Sequence, residues 1–235
     1  MSKLKIGKYK EADSMSNLIC QNYPALLVLS RFEMKLGFKD KSIGEVCNEN
    51  NVDTKTFLAI INLLLCDDIN HDCSNYDLFA PSLILYLHNS HDYFVNYRLP
   101  DIREKLKNAL TQELKDLNKA VLYYFDEYVS EVRKHMSYEE EIVFPYVRSL
   151  IEGKKKIKYN IGIFIKQHNQ IEIKLTEFKN IMIKYYETES TNEINNVLFD
   201  IFNCESDLAV HNAVENKLFV PAIIEMELKK SGKKP

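Results

Sequence analysis

Two histidines each stand four residues ahead of a glutamate, His135 with Glu139 and His211 with Glu215. Each pair is followed at the same distance by a proline, Pro145 and Pro221. Residues at i and i+4 leave a helix on one face, so each pair would turn an imidazole nitrogen and a carboxylate oxygen toward a common point. Both atoms are donors that hold transition metals. Two such pairs on facing helices could grip a two-metal centre. His168 and Glu172 repeat the spacing a third time.

The elements that would position these residues read as long helices. The chain has only six glycines and six prolines in 235 residues, which disfavours turn-rich β architecture. Residues 1–70 form a small N-terminal helical domain in this reading, with Asp53 as N-cap of a helix over Thr54–Leu65 and Gly44 marking an earlier break. Residues 71–81 are a linker, 82–228 a bundle and 229–235 a frayed tail. Within the bundle the spacing predicts helices over about 82–110 (with Pro100 a possible kink), 111–151, 160–186 and 192–227. The short connections between them imply an up-down antiparallel four-helix bundle, so the expected fold class is all-α.

The apolar stripes say which side chains face inward. In the second helix Val121, Phe125, Tyr128, Val132, His135, Glu139, Ile142 and Tyr146 alternate steps of four and three. Ile194, Val197, Ile201, Cys204, Leu208, His211, Glu215, Leu218 and Ala222 do so in the fourth. The third carries Ile161, Phe164, His168, Ile171, Leu175 and Phe178. The first carries Leu85, His88, His91 or Asp92, Val95, Leu99, Ile102 and Leu106. Each helix thus brings an inward histidine. His88 to His135 spans 47 residues and His168 to His211 spans 43, as in a duplicated helix pair. A buried carboxylate without a partner costs several kcal/mol, on the order of the penalty for a desolvated ion, so seam glutamates need an explanation.

A metal centre supplies one. The candidate ligands are His88, His135, Glu139, His168, His211 and Glu215. Four imidazoles and two carboxylates suit a pair of non-haem iron ions bridged by the carboxylates, with solvent or a bridging oxo or hydroxo group completing the shell. Structural zinc would be mononuclear and richer in thiols. A ferritin-like centre would need glutamates three residues before histidines, and none stands there. His91 reads as a residue behind a ligand or at the rim of the centre, with a ligand role the alternative, Glu172 as an edge position with the same alternative, and Glu131 as a hydrogen-bond partner for an imidazole or a solvated group. Cys204 reads as a packing residue, and Tyr86, Tyr128 and Tyr146 as packing residues within reach of the metals.

Composition narrows the partners. With 31 basic and 34 acidic residues the net charge is −3, and residues 1–65 hold nine basic against seven acidic, so nucleic acid is not an expected partner. No stretch reaches the roughly 18 apolar residues of a membrane span, and the first residues lack an apolar signal core. Five cysteines with no C-x-x-C pair fit a reduced cytoplasmic protein. The oligomeric state is not legible.

The set His88, His135-x3-Glu139, His168 and His211-x3-Glu215, with Phe144-Pro145 and Phe219-Val220-Pro221 after the pairs, resembles hemerythrin-like (HHE cation-binding) domains. Among these it looks most like the di-iron repair-of-iron-centres (RIC) proteins. Residues 25–65, notably Arg31-Phe32-Glu33-Met34 and Glu45-Val46-Cys47, resemble that family's small N-terminal domain. The resemblance implies a cytoplasmic responder to nitrosative and oxidative stress that supports repair of damaged iron–sulfur proteins. The four histidines would be terminal iron ligands, with Glu139 and Glu215 bridging. The family's N-terminal Cys-Cys followed by glycines is replaced here by Gly37-Phe38-Lys39-Asp40. A module that binds O2 or NO for transport or sensing, and a redox enzyme, stay open as alternatives.

Overall fold

Capping residues delimit the first helices in the computed structural model of the chain, which describes residues 9–65, 78–111, 114–153, 159–165, 171–187, 189 and 191–231. Ser14 accepts from the Asn17 amide at the start of α1 (Met15–Gln21), and α2 (Ala25–Arg31) follows. Ser42 and Glu45 form a reciprocal capping box on α3 (Ile43–Glu49). That box holds the Glu45 carboxyl below its ordinary range, first through the hydrogen bond from the Ser42 backbone. Asp53 caps α4 (Thr54–Leu64) as expected, accepting from both the amide and the hydroxyl of Thr56 at 2.7 Å. Gly44 is not a break. It lies inside α3, where the Glu11 side chain would stand 2.4 Å from an added Cβ, so its role is close approach.

The remaining helices are α5 (Ala80–Asp92), α6 (Leu99–Ala109), α7 (Lys115–Tyr138), α8 (Phe144–Ile151), α9 (Ile161–Ile165), α10 (Ile171–Tyr185), α11 (Asn192–Val214) and α12 (Val220–Ser231). Among the described residues there is no strand, only an isolated bridge between Ser14 and Ser42. The chain is all-α, consistent with a helical bundle. No described helix is long and apolar enough to cross a membrane. Most of the expected linker, residues 154–158, His168 and the last four residues lie outside the described residues.

Contacts gather the chain into two compact units. One is Met1–Ser90 with Val147–Lys155 and Val210–Pro235; the other is His91–Tyr146 with Lys156–Ala209. In the first, the small helices bury Met15, Leu18, Leu29, Phe57 and Ile60. Arg31 is also buried, and it donates to the Tyr86 hydroxyl at 3.0 Å with its guanidinium 5.4 Å from the ring centroid. The Asn89 amide donates to the Arg31 carbonyl at 2.8 Å. Tyr86 therefore anchors the N-terminal helices on α5.

The second unit is a four-helix core in its own right. Leu99, Ile102 and Leu106 of α6 pack with Val121, Phe125, Tyr128 and Val132 of α7, with Leu175 and Phe178 of α10, and with Ile194, Val197, Ile201, Cys204 and Leu208 of α11. Each fully buried large apolar side chain contributes roughly 1.5–3 kcal/mol from surface removed from water. Ion pairs such as Arg103 with Asp126 sit at the exposed rim and contribute about 0–1 kcal/mol each. Cys204 is a packing residue, as the seam predicted.

Among the described residues three helices contain a turn of π-helix: Tyr93–Arg98, Glu139–Val143 and Glu215–Phe219. In each the wide bond closes over five residues, Leu99 N–H to Phe94 C=O, Phe144 N–H to Glu139 C=O, and Val220 N–H to Glu215 C=O. The residue after each of these donors is a proline: Pro100, Pro145 and Pro221. Proline has no N–H to give and its ring crowds the carbonyl four residues back, so an extra residue in the turn relieves both faults. The matched prolines thus account for the matched π turns.

Candidate metal centre

The π turns decide which side chains face inward. Buried positions in the first long helix run Ile84, Leu87, His91, Phe94, Leu99, Ile102 and Leu106, with a five-residue step from 94 to 99. A stripe read in threes and fours back from Leu99 instead gives Val95, Asp92, His88 and Leu85, each one residue out of phase. The expected inward position of His88 is therefore corrected. His88 is exposed, beside Pro81, Ile84, Leu85, Arg148, Ile151 and Glu152 on an open cavity of about 350 Å³. His91, expected at the rim, is the buried histidine of this helix, with 4% of its surface exposed. The same step leaves Ile142 exposed and buries Val143 and Phe144. It also moves the apolar position expected at Ala222 to Ile223.

In the second unit two imidazoles meet around one carboxylate. His135 Nε2 lies 2.7 Å from Glu139 Oε1, and His91 Nε2 lies 3.3 Å from Glu139 Oε2. Glu139 is 1% exposed, yet neither of its oxygens accepts a hydrogen bond. Close approach without hydrogen-bond geometry is what lone pairs show when they aim at a shared point and not at each other. A buried carboxylate in that condition costs several kcal/mol, on the order of an ion's desolvation, and a cation in the gap removes the cost. The donor set therefore fits a metal ion. Phe144 stacks on the His91 ring at 5.5 Å and 5°, and Phe164 on the His135 ring at 6.3 Å and 13°. Both imidazole planes are thus fixed by packing.

In the first unit the second pair keeps its spacing. His211 Nε2 lies 3.0 Å from Glu215 Oε1, and the two side chains are 1% and 0% exposed. His91 and Glu139 are among the buried residues able to hold a cation, as are His211 and Glu215. His168 and the Glu172 side chain fall outside the described residues. Glu131 forms an ion pair with Lys174, so its carboxylate is engaged away from the imidazoles. Tyr86 is committed to Arg31, and Tyr146 packs edge-on against Tyr159, whose hydroxyl pairs with that of Tyr138 at 3.0 Å. Burial and the Tyr138 hydroxyl hold the Tyr159 phenol protonated well above its ordinary range.

The described thiols stand apart from this chemistry. Burial pushes the Cys47 thiol up to about 12, so it is not a nucleophile at neutral pH. Cys20 is exposed, whereas Cys47 and Cys204 are buried. In a variant with Cys66 and Cys73 changed to serine, a maleimide should therefore modify Cys20 alone in the native state, and Cys47 and Cys204 only after unfolding. Peptide mass mapping checks this.

What sequence reading missed is the phase of the first long helix. The signal was present in Pro100, which stands after the same kind of turn as Pro145 and Pro221. No curated protein matches the chain. A family model does: the hemerythrin HHE cation binding domain aligns with residues 82–223, a stretch that contains His91, His135, Glu139, His211 and Glu215. That match covers more than half of the sequence, and the chain belongs to the hemerythrin HHE family.

Proposed function

We propose that this cation-binding protein is a non-haem di-iron protein of the RIC type, acting in the cytoplasm in the response to nitrosative and oxidative stress and supporting repair of iron–sulfur proteins. The proposed ligands are His91, His135, Glu139, His168, His211 and Glu215, with His91 taking the place first given to His88. In this reading the bundle of 82–228 holds one pair of iron ions, and residues 1–70 form a small domain of their own. The observation that carries it is the Glu139 carboxylate, buried between two imidazoles within 3.3 Å and hydrogen-bonded by neither. Mixed imidazole and carboxylate donors favour iron over a structural zinc. Bound iron would supply open coordination positions for a diatomic such as O2 or NO.

The test has two stages. Protein loaded anaerobically should hold two irons per chain, antiferromagnetically coupled in Mössbauer spectra; a single zinc would overturn the reading. Cells lacking the protein should then recover iron–sulfur enzyme activity more slowly after NO exposure, and a Glu139→Ala copy should not restore the rate.

One observation favours a second reading, an O2- or NO-binding or sensing module. The vicinal cysteines are replaced by Gly37-Phe38-Lys39-Asp40, and Cys47 is buried with its thiol pushed up to about 12. Reversible ligand binding by the reduced protein, with normal iron–sulfur recovery in cells that lack it, would favour this module over repair.

A further inference from the structure

Glu140 follows a proposed ligand directly in sequence, and on a regular α-helix neighbours diverge by about 100° around the axis. Such divergence would send Glu139 and Glu140 to different faces. Here both carboxylates flank one imidazole. Glu139 Oε2 lies 3.3 Å from His91 Nε2, and Glu140 Oε1 lies 2.7 Å from His91 Nδ1. The π turn that opens at Glu139 spreads its residues over a wider circuit, so successive side chains turn through a smaller angle. Glu139 is almost fully buried, while the Glu140 side chain keeps 29% of its surface exposed. The carboxylate on the Nδ1 side thus retains contact with solvent and the one on the Nε2 side does not.

The two contacts differ in kind. The 2.7 Å approach to Nδ1 is a hydrogen bond, and since a carboxylate only accepts, the proton stands on Nδ1. The Nε2 side faces the carboxylate oxygens that no hydrogen bond occupies. Phe144, stacked on the ring at 5°, defines the imidazole plane but not which edge points where, because a half-turn about the Cβ–Cγ bond leaves the plane unchanged. The Glu140 contact removes that freedom. It selects the ring orientation and the tautomer together.

We infer that Glu140 is a positioning residue for the metal centre: by accepting a hydrogen bond from the Nδ1–H of His91, it presents Nε2 as the ligand nitrogen. The inference rests on the iron-binding reading above and adds to it the group that orients one imidazole. A carboxylate behind a histidine ligand also makes the imidazole a stronger donor, and losing such a partner typically weakens metal binding by about 10- to 100-fold.

Three variants, Glu140→Ala, Glu140→Gln and His91→Ala, are compared with wild type by chelator-competition titration with ferrous iron, and by thermal melting without metal. Glu140→Ala should weaken iron binding by about 10- to 100-fold with a metal-free melting temperature close to wild type. Glu140→Gln, whose amide oxygen still accepts from Nδ1–H, should recover most of that loss. A merely structural Glu140 would show no rescue by glutamine and a lowered metal-free melting temperature, which overturns the inference. Wild-type affinity in Glu140→Ala overturns it alone if His91→Ala has lost binding. Should His91→Ala bind as wild type, His91 is not a ligand, and the proposed ligand set falls with the inference. A wild-type chain that takes up no iron overturns the functional reading as a whole.

Discussion

Replacing His91 with alanine should weaken ferrous iron binding by more than about 100-fold, beyond the 10- to 100-fold that loss of an outer partner costs. Replacing His88 should leave binding near wild type. The contrast follows from one turn of helix. His91 is buried, its Nε2 lies 3.3 Å from Glu139 Oε2, and Phe144 and Glu140 hold its ring. His88 is exposed, on the rim of an open cavity. Chelator competition on the two variants, with metal-free circular dichroism to show that both remain folded, reads the difference directly. Equal loss in both would mean that the helix carries two ligands. Loss in His88→Ala alone would restore the phase that an uninterrupted α-helix implies.

That one-residue error marks the boundary between what was legible in the sequence and what was not. The all-α class, the Asp53 cap, the packing role of Cys204 and the burial of Glu139, His211 and Glu215 all follow from local rules. Capping chemistry acts over three residues, and apolar steps of three and four hold wherever the helix is a regular α-helix. The α-helix runs regularly from His211 up to Glu215 and from His135 up to Glu139, where each π turn opens, so i, i+4 geometry still pairs them. Trouble begins where the stripe crosses a π turn. Counting from Leu99 toward the N-terminus passes through Tyr93–Arg98, and every position beyond is displaced by one. Ile142 and Ala222 are displaced for the same reason by the other two turns.

The prolines could have supplied the correction. Pro145 and Pro221 stood out only as matched punctuation after the ligand pairs, and Pro100 only as a possible kink. Their common physical effect, a missing donor and a crowded carbonyl, is relieved by the same five-residue bond in all three helices. Other details depended on long-range contacts that no local rule supplies. Glu131 meets Lys174 from 43 residues away, and Glu140 meets His91 from 49. A helix stripe shows that such residues sit beside the seam, but the partner is set by the opposing helix. Gly44 is a similar case, since the close approach at its Cα comes from the side chain of Glu11.

The second large effect should have opposite signs with and without metal. Metal-free Glu139→Gln should be more stable than metal-free wild type, whereas iron should stabilise wild type and leave the variant unchanged. Glu139 is 1% exposed, and neither of its oxygens is satisfied by a hydrogen bond. Burying a carboxylate in that state costs several kcal/mol, and an isosteric neutral amide costs less. A gain of about 1–3 kcal/mol corresponds to a melting temperature higher by roughly 2–10 °C for a chain of this size. Glu139→Met, with no polar group to bury, should rise at least as far. Iron at about 1,000 times its dissociation constant adds about 4.1 kcal/mol to a protein that binds it only when folded, enough to carry wild type back above the glutamine variant. Calorimetric melts of the three proteins, each with chelator and with ferrous iron, test the crossing. If Glu139→Gln instead melts lower in chelator, the carboxylate is held by partners within the protein and needs no cation. A shared rise with iron in all three would place the metal elsewhere. The crossing itself is what a residue retained for its ligand chemistry, at the expense of the fold, must produce.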